Sequence, residues 1–153
     1  MDPVASAPQL PGDYAEYFEL RWRVLRAPWG EPPSAARDHL ENEADHAVVR
    51  NGEGHVVGVG RVHMVDGEEA QVRFMGVEET YRGQGVGRAL LTYLEGAATQ
   101  RGARRIVLNA RSNVVGFYEK LGYRVVGDGP TFFETVKHFR MEKALSPPGS
   151  NHD

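Results

Sequence analysis

From Asp13 onward, Tyr14, Tyr17, Phe18, Arg21, Trp22 and Leu25 recur at intervals of three and four, which is the spacing of one helical face, and Pro28 and Gly30 stop the pattern. Pro32, Pro33 and Ser34 then open a short second helix over Ala35 to Glu41, because proline is tolerated in a first turn and serine can cap it. The period becomes two at Ala47–Val49 and again from His55 to Met64, with Asn51-Gly52-Glu53-Gly54 between them, so a hairpin is predicted. Asp66-Gly67 turns the chain into a third antiparallel strand through Ala70, Val72, Phe74 and Met75, ending near Val77. Helical spacing returns at Val86, Leu90, Tyr93, Leu94 and Ala97, with Gly102 placed as a C-terminal cap. Arg104 to Ala110, with Ile106, Val107 and Leu108 unbroken, reads as a strand buried on both faces. Strand, helix and strand in that order imply a parallel pair joined by a right-handed crossover, and hence a mixed sheet. Ser112 or Asn113 can cap a short helix carrying Val114, Phe117, Tyr118 and Leu121, which Gly122 ends. Tyr123–Val126 and Val136–Met141 complete the set of strands, joined by a Gly127-Asp128-Gly129-Pro130 turn and a longer loop to Glu134.

Met1 to Gly12 and Ser146 to Asp153 are rich in Pro, Ala, Ser and Gly and have little to bury, so they read as flexible tails around one domain over 13–145. A chain of 153 residues, 41% hydrophobic and 25% charged, suits one globular domain. It has no cysteine, which excludes disulfides, thiolate metal sites and cysteine nucleophiles and makes the cytoplasm the expected setting. The first ten residues hold neither Lys nor Arg and no apolar run, so no targeting segment is expected, and no apolar stretch is long enough for a membrane span. His39, His46, His55, His63, His138 and His152 show no metal-ligand spacing.

Charge changes the picture, because the net of -3 conceals an asymmetry. Residues 1–81 hold 7 Lys and Arg against 15 Asp and Glu, net -8, whereas residues 82–111 hold 6 Arg against Glu95 alone, net +5. Solvated faces would account for this, and so would an anion site beside an acidic region. The loop Arg82-Gly83-Gln84-Gly85-Val86-Gly87-Arg88 favours the anion site, since it opens the strongest helix, where free N–H groups and the positive end of the dipole meet. Glycines there let a backbone approach a diphosphate, while a plain connector would need them only to turn. A dinucleotide fingerprint needs glycine at position 88 and a P-loop needs Lys followed by Ser or Thr, so Arg88-Ala89 fits neither. Few arginines and a pI near 6.1, with no aromatic platform, argue against nucleic acid.

Val77-Glu78-Glu79-Thr80-Tyr81-Arg82-Gly83-Gln84-Gly85-Val86-Gly87-Arg88-Ala89-Leu90 resembles the acetyl-coenzyme A motif of the GNAT N-acetyltransferases. Asn113-Val114-Val115-Gly116-Phe117-Tyr118-Glu119-Lys120-Leu121-Gly122-Tyr123 is similar to the family's later helix, and the resemblance spans roughly Asp13 to Leu145. Glu79 departs from the proline common there, and the family's first strand is hard to see in the proline-bearing N-terminus. The resemblance implies the GNAT acyl-coenzyme A N-acyltransferase fold, an α/β architecture with a central twisted mixed sheet flanked by helices.

It also implies acetyl-coenzyme A as donor, an amine on a small molecule or peptide as acceptor, and direct transfer in a ternary complex. A coenzyme-binding sensor without catalysis and an enzyme for longer acyl groups are the alternatives. Neither nucleic acid nor membrane is an expected partner, and oligomeric state is left open, a homodimer included. Coenzyme contacts are implied for Met75, Gly76 and Val77, for Arg82 through Arg88, and for Asn113, and Tyr118 matches the tyrosine that protonates the departing thiolate. Tyr118 also shares a helical stripe with Val114 and Leu121, which is how a packing residue would sit. Glu69, beside Gln71 on one strand face, and the pair Glu134 and His138 are candidates on the acceptor side. Glu31, Asp38, Glu41, Glu43 and Glu134 fall where the family admits its acceptor, so the acidic first half implies a cationic amine.

Overall fold

In the computed structural model, which describes residues 2–9, 11–132 and 135–146, strands are formed by Ala5–Ser6 (β1), Asp45–Arg50 (β2), Val56–Met64 (β3), Glu69–Val77 (β4), Arg105–Arg111 (β5), Arg124–Phe132 (β6) and Val136–Ala144 (β7). They make one sheet in the order β1-β2-β3-β4-β5-β7-β6, antiparallel at every junction except the parallel β4–β5 pair. The helices are Pro11–Leu25 (α1), Val86–Gln100 (α2) and Val115–Lys120 (α3). None of the described helices is long and apolar enough to cross a membrane.

Helix α2 presents Val86, Leu90, Leu91, Leu94 and Ala98 to one face of the sheet, against Ala47, Val49, Val62, Ile106 and Leu108. Helix α1 covers the opposite face with Tyr17 and Leu20 against Val48 and Val59. Two glycines of β3 let α2 lie close. A Cβ at Gly60 would stand 2.9 Å from Leu94 Cδ1, and one at Gly58 would overlap Val86 Cγ1 outright.

Five expectations need correction. Ala5 and Ser6, read as part of a loose tail, pair with Val49 and Val48 and cover what would be an open edge of β2. The helix expected from Asp13 begins at Pro11, a residue suited to a first turn. Two 3₁₀ turns, Pro33–Ala36 and Glu41–Glu43, replace the helix expected over Ala35 to Glu41, with Arg37 extended between them. Strand β6 runs straight through Gly127-Asp128-Gly129-Pro130, with register shifts that absorb the irregular residues. Gly129 fits there because a Cβ would come within 3.0 Å of Asn109 Oδ1 and 3.2 Å of the His138 carbonyl. The helix expected after Arg111 is preceded by a 3₁₀ turn over Ser112–Val114, and neither Ser112 nor Asn113 caps it through its side chain.

The middle of the sheet is split. Strands β4 and β5 pair only at Glu69–Arg105, Ala70–Ile106 and Gln71–Val107 and then separate. Strand β5 stays with β7 as far as Arg111–His138, while β4 stays with β3 as far as Val77–Gly58. Phe74 marks the parting, with φ of 57°, a left-handed conformation rare for a bulky side chain, and the β3–β4 register shifts there. One extra residue in a strand reverses which face each later side chain takes. Ala70 and Val72 therefore pack with the α2 layer, and beyond the bulge Met75 and Val77 do so, while a Cβ on Gly76 would meet Val24 and Leu25 of α1.

Candidate active site

The parted strands enclose a cavity of about 510 Å³, open at one end to the glycine loop and walled at the other by α1 and the start of β7. Met75, Gly76 and Val77 line one side and Leu108 to Arg111 the other. Beyond the bulge, these two backbone stretches have no ladder partner in each other.

Gly83 and Gly85 take φ of 78° and 87°, where a side chain is strained, so the loop needs glycine for its shape. Gly85 is the N-cap of α2 with no side-chain cap, which leaves first-turn N–H groups facing out. Gly87 lies under the Phe117 ring, 2.9 Å from where its Cβ would be, so it fits the site by packing as well as by openness. Arg82, Gly83, Gly85, Val86, Gly87, Arg88 and Asn113 all line the cavity. Gln84 does not, because its amide turns back to donate to the Thr80 carbonyl at 3.1 Å.

Tyr118 reaches the cavity from α3 with its ring wedged edge-on against Phe117 and Tyr123. Burial alone pushes its phenol up to about 12, so the hydroxyl stays protonated. His138 enters from β7, its Nδ1 3.0 Å from the Val136 carbonyl and its ring edge-on to Phe132. Burial first, and then the charges of Arg111 and Arg26, hold its imidazole below the usual value and keep it neutral. Glu69 stays outside the cavity, at the paired end of the strands, with Arg105 at 2.9 Å and Arg140 at 3.4 Å. Gln71, its neighbour on that strand face, does line it. Glu134 lies outside the described residues.

Sequence reasoning placed Arg82 and Arg88 at the site but missed Arg26, Arg73 and Arg111. Arg26, Arg73, Arg82, Arg88 and Arg111 line the cavity, and among the described residues no aspartate or glutamate does. Behind them is a buried ionic cluster: Arg61 holds Asp38 bidentately at 2.6 and 3.0 Å, and Arg73 shares that carboxylate at 2.7 Å. Glu41 accepts from Arg21 at 2.8 Å and from Arg61 at 3.0 Å. The ring of Phe74 sits in the middle, with the Arg21 guanidinium 4.4 Å and that of Arg73 4.5 Å from its centre. Asp38 and Glu41, expected to greet a cationic acceptor, are thus spent on arginines inside the fold, and Glu31 and Glu43 do not line the cavity.

Residues 14–123 match the model of the Acetyltransferase (GNAT) family. Over 126 residues, 82% of this chain and 89% of the relative, the sequence is 37% identical to the uncharacterized N-acetyltransferase YjcF of Bacillus subtilis strain 168. It is 32% identical over 105 residues to acetyltransferase ECA0875 of Pectobacterium atrosepticum, covering 67% of this chain and 74% of that one. An aminoglycoside 6'-N-acetyltransferase complexed with coenzyme A has the same fold, with a TM-score of 0.78 at 19% identity, covering 96% of this chain and 99% of that structure.

Proposed function

The chain belongs to the acetyltransferase (GNAT) family and is by that membership an acyltransferase, and from this premise we propose that it transfers acetyl from acetyl-coenzyme A to a primary amine by direct attack in a ternary complex. The observation that carries the reading is the cavity between β4 and β5, which joins the glycine loop at one end to the buried Tyr118 hydroxyl within a single space. The left-handed glycines, the outward N–H groups of α2 and the absence of any acid among the described lining residues fit a diphosphate-bearing ligand.

When bound, acetyl-coenzyme A supplies the activated acyl group as a thioester. The loop from Gly83 to Gly87 and the guanidinium groups of Arg82 and Arg88 bind and neutralise the diphosphate. The backbone of Met75, Gly76 and Val77, left without a ladder partner on the cavity side, pairs with the amides of the extended arm, and Asn113 contacts it from the far wall. Tyr118 gives its proton to the sulfur as the carbon–sulfur bond breaks and the carbon–nitrogen bond forms. The amine loses one proton in the same exchange, and among the described residues lining the acceptor side the neutral His138 is the group able to take it. A chain without cysteine suits the reducing cytoplasm as the place where this happens.

The test is release of free thiol from acetyl-coenzyme A over a panel of small amines, with propionyl- and butyryl-coenzyme A as competing donors. Acetyl turnover with at least one amine is expected. A coenzyme-induced rise in melting temperature without thiol release from any amine would instead identify a sensor, and preference for a longer chain would change the donor.

A further inference from the structure

We infer that the acceptor is a small amine bearing an anionic group, a carboxylate or a phosphate, which the guanidinium groups of Arg26 and Arg111 hold at the α1 end of the cavity. The inference rests on the acyl-transfer reading and names the substrate class for that same site. Five arginines line the cavity, and they fall into two groups. Arg82 and Arg88 belong to the glycine loop and are accounted for by a diphosphate. Arg26, at the end of α1, Arg73, on β4, and Arg111, at the end of β5, surround the other end, where His138 also enters.

Their pairing distinguishes them. Arg73 has Asp38 at 2.7 Å. Arg26 and Arg111 have no carboxylate within ion-pair distance among the described residues. Among the described residues Arg26 donates to backbone carbonyls alone, those of Ala35 at 3.2 Å and Leu25 at 3.2 Å, and Arg111 lies 5.9 Å from the Trp29 ring. Half-buried cations that face one another without a counter-ion repel, and burial together with the charges of Arg73 and Arg111 makes the charged form of Arg26 less favourable than usual. A protein keeps such an arrangement at a cost in stability, and a ligand anion removes it.

The planar guanidinium fork matches a carboxylate or phosphate in two parallel hydrogen bonds, which gives orientation as well as attraction. The same charges act on the reacting nitrogen. A positive potential disfavours an ammonium ion, so it raises the fraction of acceptor present as neutral amine, the form that attacks. An anionic group elsewhere on the molecule offsets the repulsion and lets that amine bind. Among the described residues lining this end a polyamine meets cations and no acid, which reverses the preference that the acidic first half of the sequence suggests.

The experiment compares kcat/KM across matched amines: amino acids, their carboxamides, phosphorylated amino alcohols and a polyamine. The anionic members should exceed the carboxamides, and the lead should shrink as salt rises from about 0.02 to 0.3 M. Carboxylate and phosphate arms of equal length tell which anion fits. Arg111→Gln and Arg26→Gln should each raise KM for the anionic acceptor by about 10- to 100-fold, the range for losing a hydrogen bond to a charged group, while leaving KM for the carboxamide and for acetyl-coenzyme A within about threefold. Arg104→Gln, on an exposed side chain outside the cavity, controls for net charge. Calorimetry with N-acetylated amino acids and their amides, in the presence of coenzyme A, reads the anion site without turnover. Equal kcat/KM for anionic and neutral amines, unchanged by Arg111→Gln, or a preference for polyamine, overturns the inference and leaves acyl transfer standing. Binding of the N-acetylated anion, lost in Arg111→Gln, without thiol release from any amine overturns acyl transfer and leaves the anion site standing.

Discussion

Replacing Gly58 by alanine should damage coenzyme binding although Gly58 lies in β3 and does not line the cavity. The added methyl group would overlap Val86 Cγ1 and stand 3.2 Å from Leu90 Cδ1 and 3.6 Å from Val49 Cβ. Carbon atoms rest about 3.5–4.0 Å apart, so Val86 must retreat by roughly 1 Å. Valine in a helix has one favoured rotamer, so the retreat falls on the helix and not on the side chain alone. Val86 is the first residue of α2 and follows Gly85 directly, so the shift carries the phosphate-binding loop with it. Overpacking of this kind costs about 1–3 kcal/mol of folding stability. Misaligning one charge-assisted hydrogen bond to the diphosphate weakens binding by about 1.5–3 kcal/mol, or roughly 10- to 150-fold in Kd. Urea unfolding and calorimetric titration with coenzyme A measure the two effects. Gly96→Ala on the exposed side of α2, where nothing lies within 4 Å, serves as the opposite control and should stabilise by about 0.5–1 kcal/mol. Val86→Ala added to Gly58→Ala removes the clashing atom and should restore part of both losses. If Gly58→Ala binds coenzyme A like the parent and unfolds at the same urea concentration, close packing of α2 on β3 does not set the position of the loop.

Tyr118→Phe should leave coenzyme affinity and stability nearly unchanged and lower kcat by about 10²- to 10⁴-fold, as loss of a general acid does, in a thiol-release assay at saturating substrates; a change within about twofold would make Tyr118 a packing residue. Stability should fall as pH drops below about 6.5, because His46 and His63 sit below their usual values in the folded state and the unfolded chain therefore takes up protons that the folded one refuses. The limiting slope is about 1.4 kcal/mol per pH unit for each histidine, and His63→Gln, followed by urea unfolding between pH 7.5 and 5, should make the curve shallower. A further loss belongs below about pH 4, where the unfolded chain protonates Asp38, whose carboxyl the Arg61 and Arg73 guanidinium groups hold far below the usual range in the fold. Gly85→Asp should abolish the rise in melting temperature with acetyl-coenzyme A, which for the parent corresponds to roughly 2.7 kcal/mol at 100 times Kd.

The parallel pair and the binding loop were legible because each is written locally: an unbroken apolar run at Ile106–Leu108, a helical stripe from Val86, and glycines between them. The bulge at Phe74 was not. Ala70, Val72 and Phe74 alternate as in a regular strand, and nothing in the side chain of Phe74 announces a left-handed backbone, which coincides with the β3–β4 register shift and with the arginines packed around its ring. Arg21 falls on the apolar stripe of α1 and is buried there, but its partner Glu41 comes from a turn that the pattern read as helix. The cationic end of the cavity was illegible for the same reason, since Arg26, Arg73 and Arg111 arrive from three elements and net charge summed along the chain counts the distant acids with them. Asp38 and Glu41 read in the sequence as acids on the acceptor's approach, whereas in the fold they neutralise buried cations.

The parting of β4 and β5 gives this sheet two edges in its middle, facing each other, in addition to the two at its rim. A rim edge invites a neighbouring molecule to add a strand; an interior one admits only a chain that is narrow, extended and short enough to enter from the side. The gap therefore selects by backbone chemistry before it selects by headgroup. An inhibitor need not carry a nucleotide: a peptide-like rod whose amides match the spacing from Met75 to Val77 would occupy the same place. The backbone N–H groups of that stretch report on occupancy directly, since hydrogen exchange there should slow when any such rod enters, whether or not a reaction follows.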